Sequence, residues 1–420
     1  MQGGGTEIIM KQYKTVKYAC YMTNVSMSAA ANLSPLLFLT FRQKYGISYT
    51  LLGLLVLINF CTQLCVDLIF SFFSHKFNIR KTVIITPALT VVGLIMFALL
   101  PFAFPKAVYA CFAAGTIVFS AASGLAEVLI SPVIAAIPAE NPEREMSRLH
   151  SVYAWGVVAV VVISTLYLKV FGNGSWQFLF IFWAAVPFIA FLLFLKSDIP
   201  VLSTPEKASN VVRLTKNPCM SLCIAVIFLG GASECTMSQW CSSYIENALA
   251  LPKTIGDIFG FALFAVTLGI GRSLYAKIGK NIYRVLIAGS AGAAVCYLTA
   301  SLSPYPVAGL AACALTGLCT SMLWPGSLIA MSDAIPNAGI AMFALMAAGG
   351  DLGASVAPQL VGIITDAAAR NHEWFSFMGS SLMPEQIGMK TGLLAASLFP
   401  MASVAVLIVL RKISGRRENG

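Results

Sequence analysis

The segment Ser123–Pro138, SGLAEVLISPVIAAIP, carries one carboxylic acid, Glu127, among apolar and small residues. Asp67, Glu234 and Asp351 lie equally deep in apolar runs, whereas no Lys or Arg does, Arg272 falling at an end of its run. A charge at the centre of a bilayer costs about 2.5–3.5 kcal/mol on insertion scales, so each acid needs a partner or a task. A carboxyl without a cation beside it carries a proton near neutral pH and can exchange it when access changes sides. That is the chemistry of proton coupling, and it is expected at Glu127 and Glu234. Ser123 and Ser131 stand one turn either side of Glu127, and GGASECTMSQWCSSY places Ser238, Gln239, Trp240, Cys241 and Tyr244 after Glu234. Asp67 continues a stripe of Asn59 and Gln63 at helical spacing, and Asp351 sits in AAGGDLGAS; both read as clasps between helices or gating groups. Sodium, the alternative coupling ion, would need several convergent oxygens.

These acids must be held by helices in lipid. Of the 420 residues, 58% are hydrophobic and only 10% charged, and the mean hydropathy is +0.83. A soluble domain carries about 25% charged residues. The apolar runs are too long for barrel strands, so the expected fold is an all-α polytopic membrane protein. At about 20 residues per crossing, twelve transmembrane helices fit. The polar stretch after Lys196 divides them six and six: a tail 1–15, a six-helix bundle 16–196, a linker 197–217, a second bundle 218–411 and a tail 412–420. With tails and linker cytoplasmic, 20 of the 27 Lys and Arg lie inside and 7 outside, as the positive-inside rule requires. The net charge of +10 therefore needs no nucleic-acid partner. The 11 Cys read as small buried thiols, and no cleavable signal is apparent.

Two six-helix halves joined by a cytoplasmic linker resemble the major facilitator superfamily, whose halves are pseudo-symmetric and alternate about a midplane site. The turn after the second span, Ser71-Phe-Phe-Ser-His75-Lys76-Phe-Asn78-Ile-Arg80-Lys81, resembles that superfamily's loop signature at its basic positions Lys76, Arg80 and Lys81, which the resemblance makes gating residues. His75 stands where the signature has an acid and Asn78 where it has Gly. Gly271-Arg272 followed by Lys277-Ile-Gly279-Lys280 is a weaker echo in the second half. Gly-Leu-Ala-Glu127-Val-Leu-Ile-Ser131-Pro132 is similar to the fourth-helix pattern of the fucose/galactose/glucose family of proton-coupled sugar symporters, the fucose permease branch. Leu149-His150-Ser-Val-Tyr153-Ala-Trp-Gly156 resembles the start of its fifth helix, Phe228 to Glu234 its seventh, and Leu323-Trp324-Pro325 its tenth. That resemblance implies substrate contacts at His150 and Tyr153. Pro35 takes the place of the family's first-helix acid, which would leave coupling to Glu127, alone or with Glu234.

In that plan spans 1, 4, 7 and 10 line the cavity. Asn24, Ser28 and Asn32 form a stripe on the first, Thr316, Thr320, Trp324 and Ser327 on the tenth. Amides and hydroxyls match sugar hydroxyls and an indole face stacks on a pyranose, so Asn24, Ser28, Asn32, Gln239, Trp240, Tyr244 and Trp324 are the expected substrate contacts. The same stripes could instead glue helices together. With no Lys or Arg on these faces the solute should be neutral, a sugar or polyol. The expected protein is thus a monomeric secondary active transporter with no cofactor, multi-pass in a plasma or bacterial inner membrane, its partners the solute and the lipid. Alternatives are a drug/proton antiporter and a sodium-coupled or facilitative transporter. No HExxH and no Ser-His-Asp grouping points to an enzyme.

Overall fold

A computed structural model describes residues 13–73, 76–138, 142–200, 218–278, 281–335, 340–374 and 382–417. His75, the linker from 201 to 217 and the first twelve residues lie outside the described residues. Within them the chain is helical throughout. In order come α1 (Lys14–Leu36), α2 (Phe38–Tyr45), α3 (Tyr49–Phe73), α4 (Ile79–Ala103), α5 (Val108–Ala135), α6 (Pro142–Phe171) and α7 (Trp176–Leu195). The second half has α8 (Pro218–Asn247), a π-helical stretch Gly256–Ala262 leading into α9 (Leu263–Ile278), α10 (Ile282–Leu302), α11 (Pro306–Thr320), α12 (Leu323–Ala334), α13 (Ile340–Arg370), α14 (Pro384–Ala396) and α15 (Leu398–Arg417).

Among the described residues, eleven helical stretches are long and apolar enough to cross a membrane. Outside that set lie the eight-residue α2 and α1, 23 residues long, whose Thr23, Asn24, Ser26, Ser28 and Asn32 lower its hydropathy. Those polar groups are buried, so α1 is shielded by protein and can be less apolar than a lipid-facing span.

Contacts gather the chain into two compact units, Met1–Ser34 with Thr62–Lys207, and Pro35–Cys61 with Ala208–Gly420. The boundary runs through α1 and α3. In the first unit α4 packs on α5 and α7 through glycines: a Cβ on Gly93 would lie 2.4 Å from the backbone of Phe119, and one on Gly115 2.7 Å from that of Phe97. The close approach stacks Phe97 on Phe112 and Phe180, each at 4.5 Å between ring centres, with Trp176 edge-on.

The second unit is organised around α8, which meets α13 where a Cβ on Gly353 would lie 2.0 Å from the Phe228 carbonyl oxygen. The segment 35–61 belongs here because its polar groups find partners here. Arg42 donates to Glu385 at 2.6 Å and lies 4.2 Å from the Tyr49 ring centre. Asp366 accepts from the Thr50 amide at 2.6 Å, and Lys253 caps the Leu36 carbonyl where α1 ends. Arg42, Ser48, Thr50, Asp366, Arg370 and Glu385 line a cavity of about 730 Å³.

Two turns between helices repeat one device. Asn78 caps α4 by accepting from the Lys81 amide at 3.0 Å, and Asn281, in the left-handed conformation, caps α10 by accepting from Arg284 at 3.4 Å. Asn78 therefore has a structural task of its own in place of the signature glycine: its side chain satisfies an amide that the helix start leaves orphaned. Lys76 lies 5.0 Å from the Phe73 ring centre, and Lys76, Arg80 and Lys81 are exposed.

Candidate functional site

In the first unit the side chain of Glu127 is exposed, although α5 buries Ser123, Gly124, Ala126, Leu129 and Ile130 around it. A carboxyl at mid-span facing hydrocarbon would be costly, so this side chain is expected to meet water and not lipid. Pro132, one turn on, has no N–H to give the Val128 carbonyl, and Ser123 bonds back to Phe119 at 3.1 Å. Gly124 has a packing reason: a Cβ there would lie 2.9 Å from both Asp67 Oδ1 and the Gln63 carbonyl. Asp67 is thus seated against the helix that carries Glu127, as a clasp would be.

The stripe on α1 spends its polar atoms on backbone. Asn24 donates to the Leu149 carbonyl at 2.8 Å, Ser28 to that of Tyr153 at 2.9 Å, and Asn32 to that of Ser28 at 2.7 Å. Asn24 and Ser28 therefore tie α1 to α6, and Ser28 sits so close that a Cβ on Gly156 would meet its hydroxyl at 2.7 Å. Tyr153 is half-buried; the side chain of His150 lies outside the described residues. Nearer the start of α6, Glu145 accepts from Lys17 at 3.1 Å, Arg148 at 2.8 Å and Tyr21 at 3.4 Å. Burial, the largest single influence, opposes its ionisation; the Lys17 and Arg148 contacts outweigh it and hold the carboxyl below its ordinary value of 4.5. Sequence reading passed over this cluster.

In the second unit Glu234 is not alone, and the expectation that no cation neutralises the intramembrane acids is corrected there. Arg272 Nη2 donates to Glu234 Oε1 at 3.2 Å, and Nε donates to the Ser321 carbonyl at 3.1 Å. The tenth span breaks between α11 and α12, leaving that carbonyl free, and the long arginine side chain carries its charge inward from the helix end. Lys390 is a second correction: it is buried in the last span, Pro384–Ile413, donating to the Ser303 carbonyl at 2.8 Å. Asp351 is buried on α13 within the electrostatic reach of Cys235, as are Glu234 and Arg272. A further buried acid, Asp257 in the π-helical stretch, pairs with Lys253 at 3.1 Å and accepts from Ser242. Its i, i+4 spacing from Lys253 was the signal that could have revealed it.

The aromatic residues divide. Trp240 is fully buried, its indole N–H donating to the Pro358 carbonyl at 3.0 Å and its ring packed by Phe38 and Tyr49. Tyr244 is also fully buried, with its hydroxyl donating to the Ala300 carbonyl, and Gln239 is buried. In this conformation Trp240 and Tyr244 present no face to a solute. Trp324 is half-buried, one side laid on Gly231 and Gly350, where Cβ atoms would come within 3.1 and 2.5 Å of its ring. Thr316 and Thr320 bond back to Ala312 at 2.7 Å and Thr316 at 2.9 Å, and Ser327 to Leu323.

Comparison with known proteins agrees with this architecture. A profile of the Major Facilitator Superfamily matches residues 19–358, and the chain belongs to that superfamily. It is an integral, multi-pass membrane transporter. Its fold is similar to that of a bacterial homologue of the human lysosomal transporter Spinster in an inward-facing, occupied conformation, with a TM-score of 0.72 at 13% identity over 96% of this chain and 97% of that one. It is similar also to a D-xylose–proton symporter, TM-score 0.69 at 15% identity over 92% and 97%. The E. coli fucose:proton symporter gives 0.61 at 16% identity over 96% and 99%. No curated protein matches the chain in sequence at a significant level.

Proposed function

We propose that the chain is a secondary active transporter of a small polyhydroxylated solute of the sugar class, working by alternating access with proton symport at Glu127. The observation that carries this reading is the exposed carboxyl of Glu127 on α5, beside the buried Ser123, Gly124, Ala126, Leu129 and Ile130. A carboxyl placed so can meet water, take a proton and give it up, which a carboxyl locked in a packing contact cannot do. The fucose- and xylose-transporting structural relatives support the solute class, and the half-buried indole of Trp324 is the aromatic group we assign to stacking on a sugar ring.

One charge moving through about 100 mV supplies about 2.3 kcal/mol, or roughly 50-fold accumulation. The deciding experiment is uptake of radiolabelled sugars into proteoliposomes with and without an imposed inward proton gradient. Accumulation that follows the proton gradient supports the reading. Accumulation that follows a sodium gradient, or equilibration without accumulation, replaces it with sodium coupling or facilitated diffusion.

A further inference from the structure

Arg272 is half-spent. Of its five N–H donors, one meets the Ser321 carbonyl and one meets Glu234. The other three have no protein partner among the described residues, and 40% of the side chain is open. Glu234, 16% exposed, is half-spent in the same way: Oε1 is paired, and Oε2 is buried with no hydrogen-bond partner. A planar fork with unspent donors inside the membrane, beside a carboxylate that can leave it, is a receptor for another carboxylate.

We propose that the Arg272 guanidinium is the docking point for a carboxylate on the transported solute, which is therefore a sugar acid, and that protonation of Glu234 vacates the fork for it. This rests on the sugar-transporter reading above and narrows it. The expected neutrality of the solute depended on spans without a cation, and Arg272 removes that premise. The exchange balances. Before it, Arg272 pairs with ionised Glu234; after it, the proton sits on the Glu234 carboxyl, the guanidinium keeps its charge, and the solute carboxylate takes the vacated place. The site is neutral in both states, so entry of the anion leaves no uncompensated charge in the membrane. One proton accompanies one anion, and the proton at Glu127 remains as the net charge moved. Arg272 from α9 pairs with Glu234; both, with Asp351 from α13, lie within the electrostatic reach of Cys235 on α8, and Tyr297 of α10 gives its hydroxyl to the Ser233 carbonyl at 2.8 Å. Of these Asp351 is the other carboxyl, so the test must separate its titration from that of Glu234.

The experiment uses the full chain in proteoliposomes, with D-glucuronate and D-gluconate as probes and D-glucose as the neutral control, for both binding and counterflow. Wild type should take the acids in preference to D-glucose, with binding that weakens as pH rises and Glu234 reclaims the arginine. Glu234→Gln should bind the acids about tenfold more tightly than wild type at the higher pH, with no pH dependence, because the competing carboxylate is gone. Asp351→Asn should keep the pH dependence. Arg272→Gln should lose the acids, and Arg272→Lys should retain part of the affinity through its charge. Unchanged acid binding in Arg272→Gln, a preference for D-glucose, or pH dependence that survives in Glu234→Gln overturns the proposal while leaving a sugar transporter in place. If Arg272→Gln does not fold, the pH profile of Glu234→Gln decides alone. If neither acids nor D-glucose are bound or carried, the sugar-class reading falls as well.

Discussion

Glu127 and Glu234 are both mid-span acids, yet the two units treat them in opposite ways. Glu127 is exposed, whereas Glu234 is mostly enclosed and held by an arginine from the next helix. An acid facing water exchanges protons with solvent directly; one paired to a cation must break that pair first. The difference teaches that one residue type at one depth serves different steps, set by what stands beside it.

The largest expected effect separates the two acids. Glu127→Gln keeps the size of the side chain and its hydrogen-bonding head but cannot titrate, so accumulation driven by the membrane potential should be abolished while counterflow and binding persist. Full accumulation in this variant would move coupling to the arginine-paired acid of the second unit. Next in size is Trp240→Ala, which should cost about 3–5 kcal/mol of stability, the usual cost of removing a buried aromatic. Trp324→Ala should instead weaken solute binding by about 1–3 kcal/mol and leave thermal stability closer to wild type. Calorimetry and thermal unfolding of the two variants would reverse that assignment if Trp324 proved the more destabilising.

Two glycine substitutions probe the helix contacts beneath each acid. Gly353→Ala drives a methyl into the Phe228 carbonyl and should cost about 3 kcal/mol or more, since backbone must move. Gly124→Ala meets the Asp67 side chain and the Gln63 carbonyl at longer range, and should cost about 1–3 kcal/mol, read as loss of folded protein on a thermal ramp. The smallest effect belongs to Glu145. Its carboxyl is held below 4.5, so its contribution is present above that value and lost as pH falls through the lower folded-state value. Thermal stability of wild type should therefore drop more than that of Glu145→Gln as pH is lowered through this range; equal drops would mean that the Lys17 pairing contributes nothing.

Much of this was legible along the chain. The apolar runs and the four conspicuous acids depend on local composition, because lipid tests each segment of some 20 residues by itself. The loop signature likewise marked a real turn, although the task of Asn78 as a cap emerged only with the backbone in place. The stripe Asn24, Ser28, Asn32 was visible as a stripe, but whether it faced solute or helix was not. Periodicity shows that residues share a face and leaves open what that face meets; here the backbone of α6 takes Asn24 and Ser28.

What the sequence by itself determined is therefore the membrane, the helical character of the spans, and the presence of acids that lipid would not tolerate idle. Only the tertiary structure decided that Arg272 reaches Glu234 across 38 positions of chain, that residues 35–61 pack with the second half, and that Trp240 is sealed while Trp324 is half-open. The reason is physical. Burial preference is a property of each segment, whereas a contact between helices depends on their rotation and depth relative to one another. Those are fixed jointly by every glycine, bulge and aromatic along both faces, so no single stretch of sequence carries the answer.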